Sequence, residues 1–232
     1  MLDFSRFKVL TFDCYGTLID WETGIWNALG PVLARHGAGP EREQALEWFG
    51  ALEAEAERAP YRDYKTVLGE VLSGLGRHAG FVPTGEERWA FAQSVGDWPA
   101  FPDTAAALRA LHGRFKLAIV SNVDDDLFAR TARKLGVPFD WVVTAEQVRS
   151  YKPSHENFHA ALRRIGLPRD QVLHVAQSLY HDVTPARALG LSSVWVNRRL
   201  GRPGHGATMP AEAEPDLEVP DLRTLAEQAG VG

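Results

Sequence analysis

Short apolar runs alternate with helix-periodic stretches through most of the chain. Val9-Phe12, Leu117-Val120, Trp141-Thr144, Val172-Ala176 and Ser193-Val196 are the apolar runs and have the length of buried strands. Between the later ones, Thr104-His112 carries Leu108 and Leu111 at helical spacing, Leu127-Leu135 carries Phe128 and Leu135, and Phe158-Ile165 carries Leu162 and Ile165. Strand alternating with helix predicts an α/β fold with a parallel sheet covered on both faces. In such sheets the reactive groups gather outside the carboxyl ends of the strands. Asp13, Ser121 and the residues after Ala176 are then expected to be neighbours.

Residues 21 to 98 break the rhythm. Ile25-His36, Glu41-Arg58 and Tyr61-His78 read as long amphipathic helices, and no strand pattern stands out. The expected organisation is a core made of residues 1–20 and 99–232 with a helical cap, 21–98, inserted between the first strand and the rest. Its limits are the turn at Asp20-Trp21-Glu22 and the stretch Trp98-Pro99-Ala100-Phe101-Pro102-Asp103, where two prolines bar helix continuation. After Arg199 a Gly- and Pro-rich loop precedes a last strand near Leu217-Val219 and a final helix.

Composition narrows the function classes. With 232 residues, 45% hydrophobic and 24% charged, the chain has material for one large or two modest domains. A net charge of −5 with no continuous basic patch argues against nucleic acid as a partner. One cysteine cannot make an internal disulfide, no stretch resembles a signal peptide, and none approaches the ~18 apolar residues of a membrane span. A cytoplasmic protein without a membrane partner is expected.

Candidate chemistry begins at FDCYGTL, residues 12–18. A carboxylate at a strand end, followed by a glycine turn and a hydroxyl, is placed to act as a nucleophile; a capping or turn aspartate is the plain alternative. Three more strand-end groups join it: Ser121-Asn122 after the second strand, Lys152 in Ser150-Tyr151-Lys152-Pro153, and Asp182 in the loop Gln177-Ser178-Leu179-Tyr180-His181-Asp182. Each has its own ordinary reading as turn, surface charge or helix cap, but the four together favour a site. Cys14 reads as a small packed side chain. Asp124-Asp125-Asp126 reads as negative charge at a helix start. Of Trp21, Trp26, Trp48 and Trp98, some line the cap face and at least two serve core packing.

The order of these motifs resembles the haloacid dehalogenase superfamily over essentially the whole chain. The resemblance implies a Rossmann-like core with an inserted cap, Asp13 as nucleophile, Thr17 and Ser121 as hydrogen-bonding supports of the bound anion, Lys152 as the cation steadying Asp13, and Asp182 as the last acid. Phosphatases of that superfamily carry an aspartate where this chain has Tyr15, and another four residues before the last acid, where this chain has Ser178. A magnesium-dependent small-molecule phosphatase is therefore the alternative, and metal-free attack on carbon, with no cofactor, the preferred reading.

Asp-x-Tyr-Gly-Thr with Ser121-Asn122 and Tyr151-Lys152-Pro153 resembles the type II L-2-haloacid dehalogenases. The halide-binding features of that family have no clear counterpart: its halide-binding arginine follows a Leu-Trp pair in the cap, where the similar region here reads Leu46-Glu47-Trp48-Phe49-Gly50, Leu179 stands for an asparagine, and Phe158 for a tyrosine. Residues 12–25 (FDCYGTLIDWETGI), 98–104 (WPAFPDT), 150–153 (SYKP), 178–182 (SLYHD) and the tail pattern Arg198-Arg199 through Gly206-Ala207-Thr208 resemble the azetidine-2-carboxylate hydrolase branch more closely. That implies a small carboxylate substrate attacked at carbon 2, an aspartyl ester, and an amine leaving group needing a proton. His181 is the candidate acid, or a residue that only orients Asp182. Tyr15, Asn122, Ser178 and Tyr180 are expected to contact substrate, and a homodimer is left open. A catalytically silent member binding a small carboxylate or a protein stays as a third reading.

Overall fold

The computed structural model describes residues 2–58 and 60–232. Six strands, β1 (Val9–Phe12), β2 (Lys116–Ser121), β3 (Trp141–Thr144), β4 (Val172–Ala176), β5 (Ser192–Val196) and β6 (Leu217–Val219), form one sheet in the order β3-β2-β1-β4-β5-β6. Every neighbouring pair is parallel. β1 and β4 are buried along their whole length, because helices cover both faces of the sheet; this is why both read as continuous apolar runs.

The segment following β1 is helical: α1 (Trp21–Arg35), α2 (Arg42–Glu57), α3 (Tyr64–Ala79), α4 (Gly85–Gln93) and a 3-10 turn at Ser94–Asp97. Then come α5 (Thr104–His112), α6 (Asp125–Leu135), α7 (Ala145–Val148), α8 (His155–Ile165), α9 (Thr184–Ala188) and α10 (Leu222–Gln228). The strands fall where the apolar runs place them, whereas several helix starts move. α1 begins at Trp21 because the Asp20 carboxylate accepts the Thr23 amide at 3.2 Å, and α3 begins at Tyr64 because Asp63 accepts the Thr66 amide at 2.7 Å. α4, which the apolar pattern leaves unassigned, is started by a capping box between Thr84 and Glu87.

Asp124 stands at the start of α6, with Asp125 and Asp126 in the first turn, as expected, and has a further part. Its carboxylate accepts the amides of Tyr64 at 2.8 Å and Lys65 at 3.1 Å, so it caps α3 of the insert and ties it to the core. A second tie comes from the tail loop: buried Arg199 donates to Glu22 of α1 at 2.6 and 2.7 Å and to Glu43 of α2 at 2.6 Å. Gly50 of α2 lies so close to that loop that a Cβ would sit 2.7 Å from the Ala207 backbone. On α2, Leu46 and Phe49 are fully buried, each contributing about 1.5–3 kcal/mol, and Glu53 continues the same stripe. Among the described residues, no helix is long and apolar enough to cross a membrane.

Candidate active site

β2 and β3 lie to one side of β1, and β4, β5 and β6 to the other. The crevice outside the carboxyl ends of β1 and β4 is therefore the switch point of the sheet, where ligands bind in such folds. Asp13 follows β1 directly, its amide bonded to Val175 of β4. Gly16, at φ 93°, turns the chain back, so that Thr17 donates to Asp13 Oδ2 at 2.7 Å while accepting the Gln177 amide at 2.8 Å. A side chain at position 16 would also meet Gln177 and Trp21 at 3.0 Å.

Lys152 enters from the loop before α8 and is 1% exposed. Its ammonium donates to Asp13 Oδ1 at 2.9 Å, to Asp182 Oδ1 at 2.6 Å and to the Val120 carbonyl at 2.9 Å, which uses all three of its protons. Asp182 lies on a π-helical turn, Leu179–Val183, and is met also by His174 Nε2 at 2.9 Å; His174 Nδ1 in turn pairs with Thr11 at 2.8 Å. Asp13, Thr17, Lys152 and Asp182 thus converge as expected, and His174 is a member of the cluster that the sequence reading missed. Ser121 borders the same cavity with its buried hydroxyl unpartnered.

Burial sets the charges. It raises the Asp13 carboxyl above its ordinary value, with Lys152 opposing and Asp182 adding to the rise. Burial alone would lower Lys152, but Asp13 and Asp182 outweigh it and hold the ammonium charged. Asp182 is lowered despite its burial, through Lys152 and His174.

The opposite wall comes from the insert: Glu53 and Glu57 of α2, Tyr64 of α3 and Trp21 of α1. Tyr64 donates to Glu53 at 2.5 Å, and Asn122 donates to both oxygens of Glu57 at 3.1 and 3.2 Å. Burial pushes Glu53 up to about 8, and burial with the neighbouring Glu53 raises Glu57 well above the carboxylate range. The sequence reading missed this wall. The signal was there: acids four apart on one helix, continuing the stripe of Leu46 and Phe49. The space enclosed is about 30 Å³. An outer cavity of about 310 Å³, lined by Arg58, Tyr61, Arg149 and Tyr180 among others, shares Glu57 and Lys152 with it.

Of the expected contacts, Tyr15, Asn122 and Ser178 line the inner cavity. Tyr180 borders the outer cavity and does not line the inner one. Tyr15 lines the inner cavity, but its hydroxyl pairs with Thr131 of α6 at 3.0 Å. Asn122 is a bracket: besides Glu57, it accepts the Lys152 amide at 2.7 Å and donates to the Lys152 carbonyl at 3.0 Å. Ser178 accepts the His181 amide at 2.9 Å and meets Thr208 of the tail loop at 3.1 Å. His181 is expected either as the acid or as a residue that only orients Asp182; burial pushes its imidazole down to about 4, which favours the neutral ring near pH 7. Its Nε2 has no hydrogen-bond partner and lies 3.6 Å from Glu57.

A phosphatase would need a divalent cation beside Asp13. The inward oxygens of Asp13 and Asp182 are both taken by Lys152, and no cluster of three His, Cys, Asp or Glu side chains among the described residues is arranged to hold a metal. The donor set does not fit such an ion.

Residues 7–190 match the model of the haloacid dehalogenase-like hydrolases. An (S)-2-haloacid dehalogenase of Pseudomonas putida is 27% identical over 230 residues, covering 94% of this chain and 96% of its own. A phosphoserine phosphatase of Thermus thermophilus is 32% identical over 211 residues, 88% of this chain and 76% of that protein. The crystal structure of an L-2-haloacid dehalogenase superposes with a TM-score of 0.80 at 28% identity, covering 96% of this chain and 99% of that one.

Proposed function

The chain belongs to the haloacid dehalogenase-like hydrolases, and from that premise we propose that it hydrolyses a small 2-substituted carboxylate by attack of Asp13 on carbon 2. The observation that carries this is the setting of Asp13: a buried carboxylate with one oxygen held by Thr17 and the other by the Lys152 ammonium, away from bulk water. Lys152 favours the ionised form of this carboxylate, and poor solvation makes that form a competent nucleophile toward saturated carbon. The insert acts as the cap that closes the site. Ser121, its hydroxyl free, takes the substrate carboxylate.

In the first step an Asp13 oxygen bonds to carbon 2 and the departing group leaves with the bonding electrons. Water then attacks the aspartyl carbonyl, regenerating Asp13 and releasing a 2-hydroxy acid. For the departing group, a strained ring nitrogen as in azetidine-2-carboxylate is preferred over halide, since no cation among the described residues lining the inner cavity is free to receive an anion. The likeness to the Thermus thermophilus phosphoserine phosphatase keeps phosphate ester hydrolysis as a second reading.

A single turnover in ¹⁸O-water decides whether Asp13 attacks carbon. Azetidine-2-carboxylate, 2-chloropropionate and a poor-leaving alkyl phosphate with magnesium are each supplied. The expected outcome is label in the Asp13 carboxylate with a carbon substrate, and a loss of about 10⁴-fold or more in kcat on Asp13→Asn. Unlabelled enzyme with labelled product would refute it, and brisk turnover of the alkyl phosphate alone would favour the second reading.

A further inference from the structure

The inner cavity holds an excess of acid that the proposed reaction does not use. Asp13, Asp182, Glu53 and Glu57 line it against a single cation among the described lining residues, Lys152, whose three protons are already committed. Arg58 and Arg149 line the outer cavity and not the inner one. Glu53 has only the Tyr64 hydroxyl for company, while the side chain of Glu57, 5% exposed, has Asn122 and, at 3.6 Å, His181. Buried carboxylates left without a cation are costly, and an apolar residue would continue the Leu46 and Phe49 stripe at less expense. Three buried groups of residues lining the same space also lack partners, the Ser121 hydroxyl, His181 Nε2 and Asp182 Oδ2. The cavity therefore invites a ligand in two ways: burial favours the protonated forms of Glu53 and Glu57, from which an incoming cation would draw the protons, and Ser121 lacks an acceptor.

We propose that Glu53 and Glu57 are the specificity-determining residues of this site, reading a positive charge on the substrate's departing nitrogen and turning away 2-haloacids. The proposal rests on Asp13 attacking carbon 2. A 2-haloacid would bring one anion into the cavity and expel another against the two glutamates. A small zwitterion brings its own cation to Glu53 and Glu57 and its carboxylate to Ser121. The charge also resolves the proton question that His181 leaves open. The nitrogen arrives as an ammonium; when the Asp13 oxygen bonds to carbon 2 and the carbon–nitrogen bond breaks, its electron pair passes to nitrogen, which departs as a neutral amine keeping its protons. Hydrolysis of the ester then releases one proton, which that amine takes up, so no separate acid is required.

The test uses two ring carboxylates of the same shape, azetidine-2-carboxylate and cyclobutanecarboxylate, which differ in the charged nitrogen. Equilibrium binding to the inactive Asp13→Asn protein, its mass checked for deamidation, is followed through the fluorescence of Trp21 in the cavity wall or by calorimetry. Should that variant fail a circular-dichroism check, Asp13→Ala carries the measurement. The expected result is about tenfold or more tighter binding of the zwitterion, falling toward parity when Glu53→Gln and Glu57→Gln are added singly and together. Equal binding of the two ligands, binding of neither at millimolar concentration, or a preference that survives both substitutions in folded protein would overturn the proposal. The ¹⁸O experiment fails separately: label in Asp13 with no charge preference removes the glutamate role alone, whereas a charge preference without label removes the nucleophile and leaves the glutamates as a binding wall.

Discussion

The sheet side and the insert side of the cavity are built on opposite terms. On the sheet side, Lys152 satisfies Asp13 and Asp182 together, and Thr17 and His174 add hydrogen bonds to them, so the charges balance although Asp182 Oδ2, the Ser121 hydroxyl and His181 Nε2 lack partners. On the insert side, Glu53 and Glu57 face inward with one tyrosine and one asparagine between them. A wall whose charges balance is finished without a ligand and can hold a nucleophile in fixed geometry. The insert wall keeps its acids toward the protonated form until something of the opposite sign arrives to ionise them. Division of labour follows: the sheet side sets how the bond is broken, and the insert side sets which molecule is admitted.

Breaking the balanced side should cost most. Lys152→Met leaves Asp13 and Asp182 buried without their shared cation, so the expected loss is about 3–5 kcal/mol of stability, read by urea denaturation, together with loss of turnover. A variant as stable as the parent would mean that the sheet side was never balanced by that lysine.

The unbalanced side should respond in the other direction. Because Glu53 is raised to about 8, the folded state holds a proton that the unfolded chain releases above the ordinary carboxyl range. Stability is then greatest at acid pH on this account and declines as pH rises toward and through about 8. Glu53→Gln removes that decline. Its Tm should change less between about pH 5 and about pH 8 than that of the parent, by roughly several degrees. Identical pH profiles would show Glu53 to be ionised in both states and the wall less strained than its burial implies.

The smallest effect is expected at the seam between the two sides. His181 lies near Glu57 yet is neutral, so His181→Gln should lower kcat on azetidine-2-carboxylate by less than about tenfold, below the usual contribution of a general acid. A loss of about 10³-fold confined to the nitrogen substrate would restore His181 as the acid.

Legibility in the sequence divided along the same line. β1, β2 and β4 could be placed from their apolar runs, and Asp13, Thr17, Lys152 and Asp182 from their places at strand ends, because a buried parallel strand writes itself as an uninterrupted run and the sheet rule brings its carboxyl ends to one edge. Glu53 and Glu57 were not found, since an acid on a helix reads as solvated surface unless something covers it. What covers them is the far side of the cavity, brought there by contacts remote in sequence: Asp124 capping α3, Arg199 bridging Glu22 and Glu43, and Gly50 admitting Ala207.

His181 shows the same limit from another direction. Its place beside Asp182 follows from three letters of sequence, and its ordinary value near neutrality made it a reasonable acid. Its charge was decided by burial in the folded site, where Glu57 of α2 lies 3.6 Å away. Local sequence determined the strands, the turn at Gly16 and the groups that each strand end presents, because these depend on steric and periodic rules acting over a few residues. Only the tertiary structure decided which acids lose water and which cation each one meets, because desolvation and pairing depend on the distance between segments that the chain places far apart.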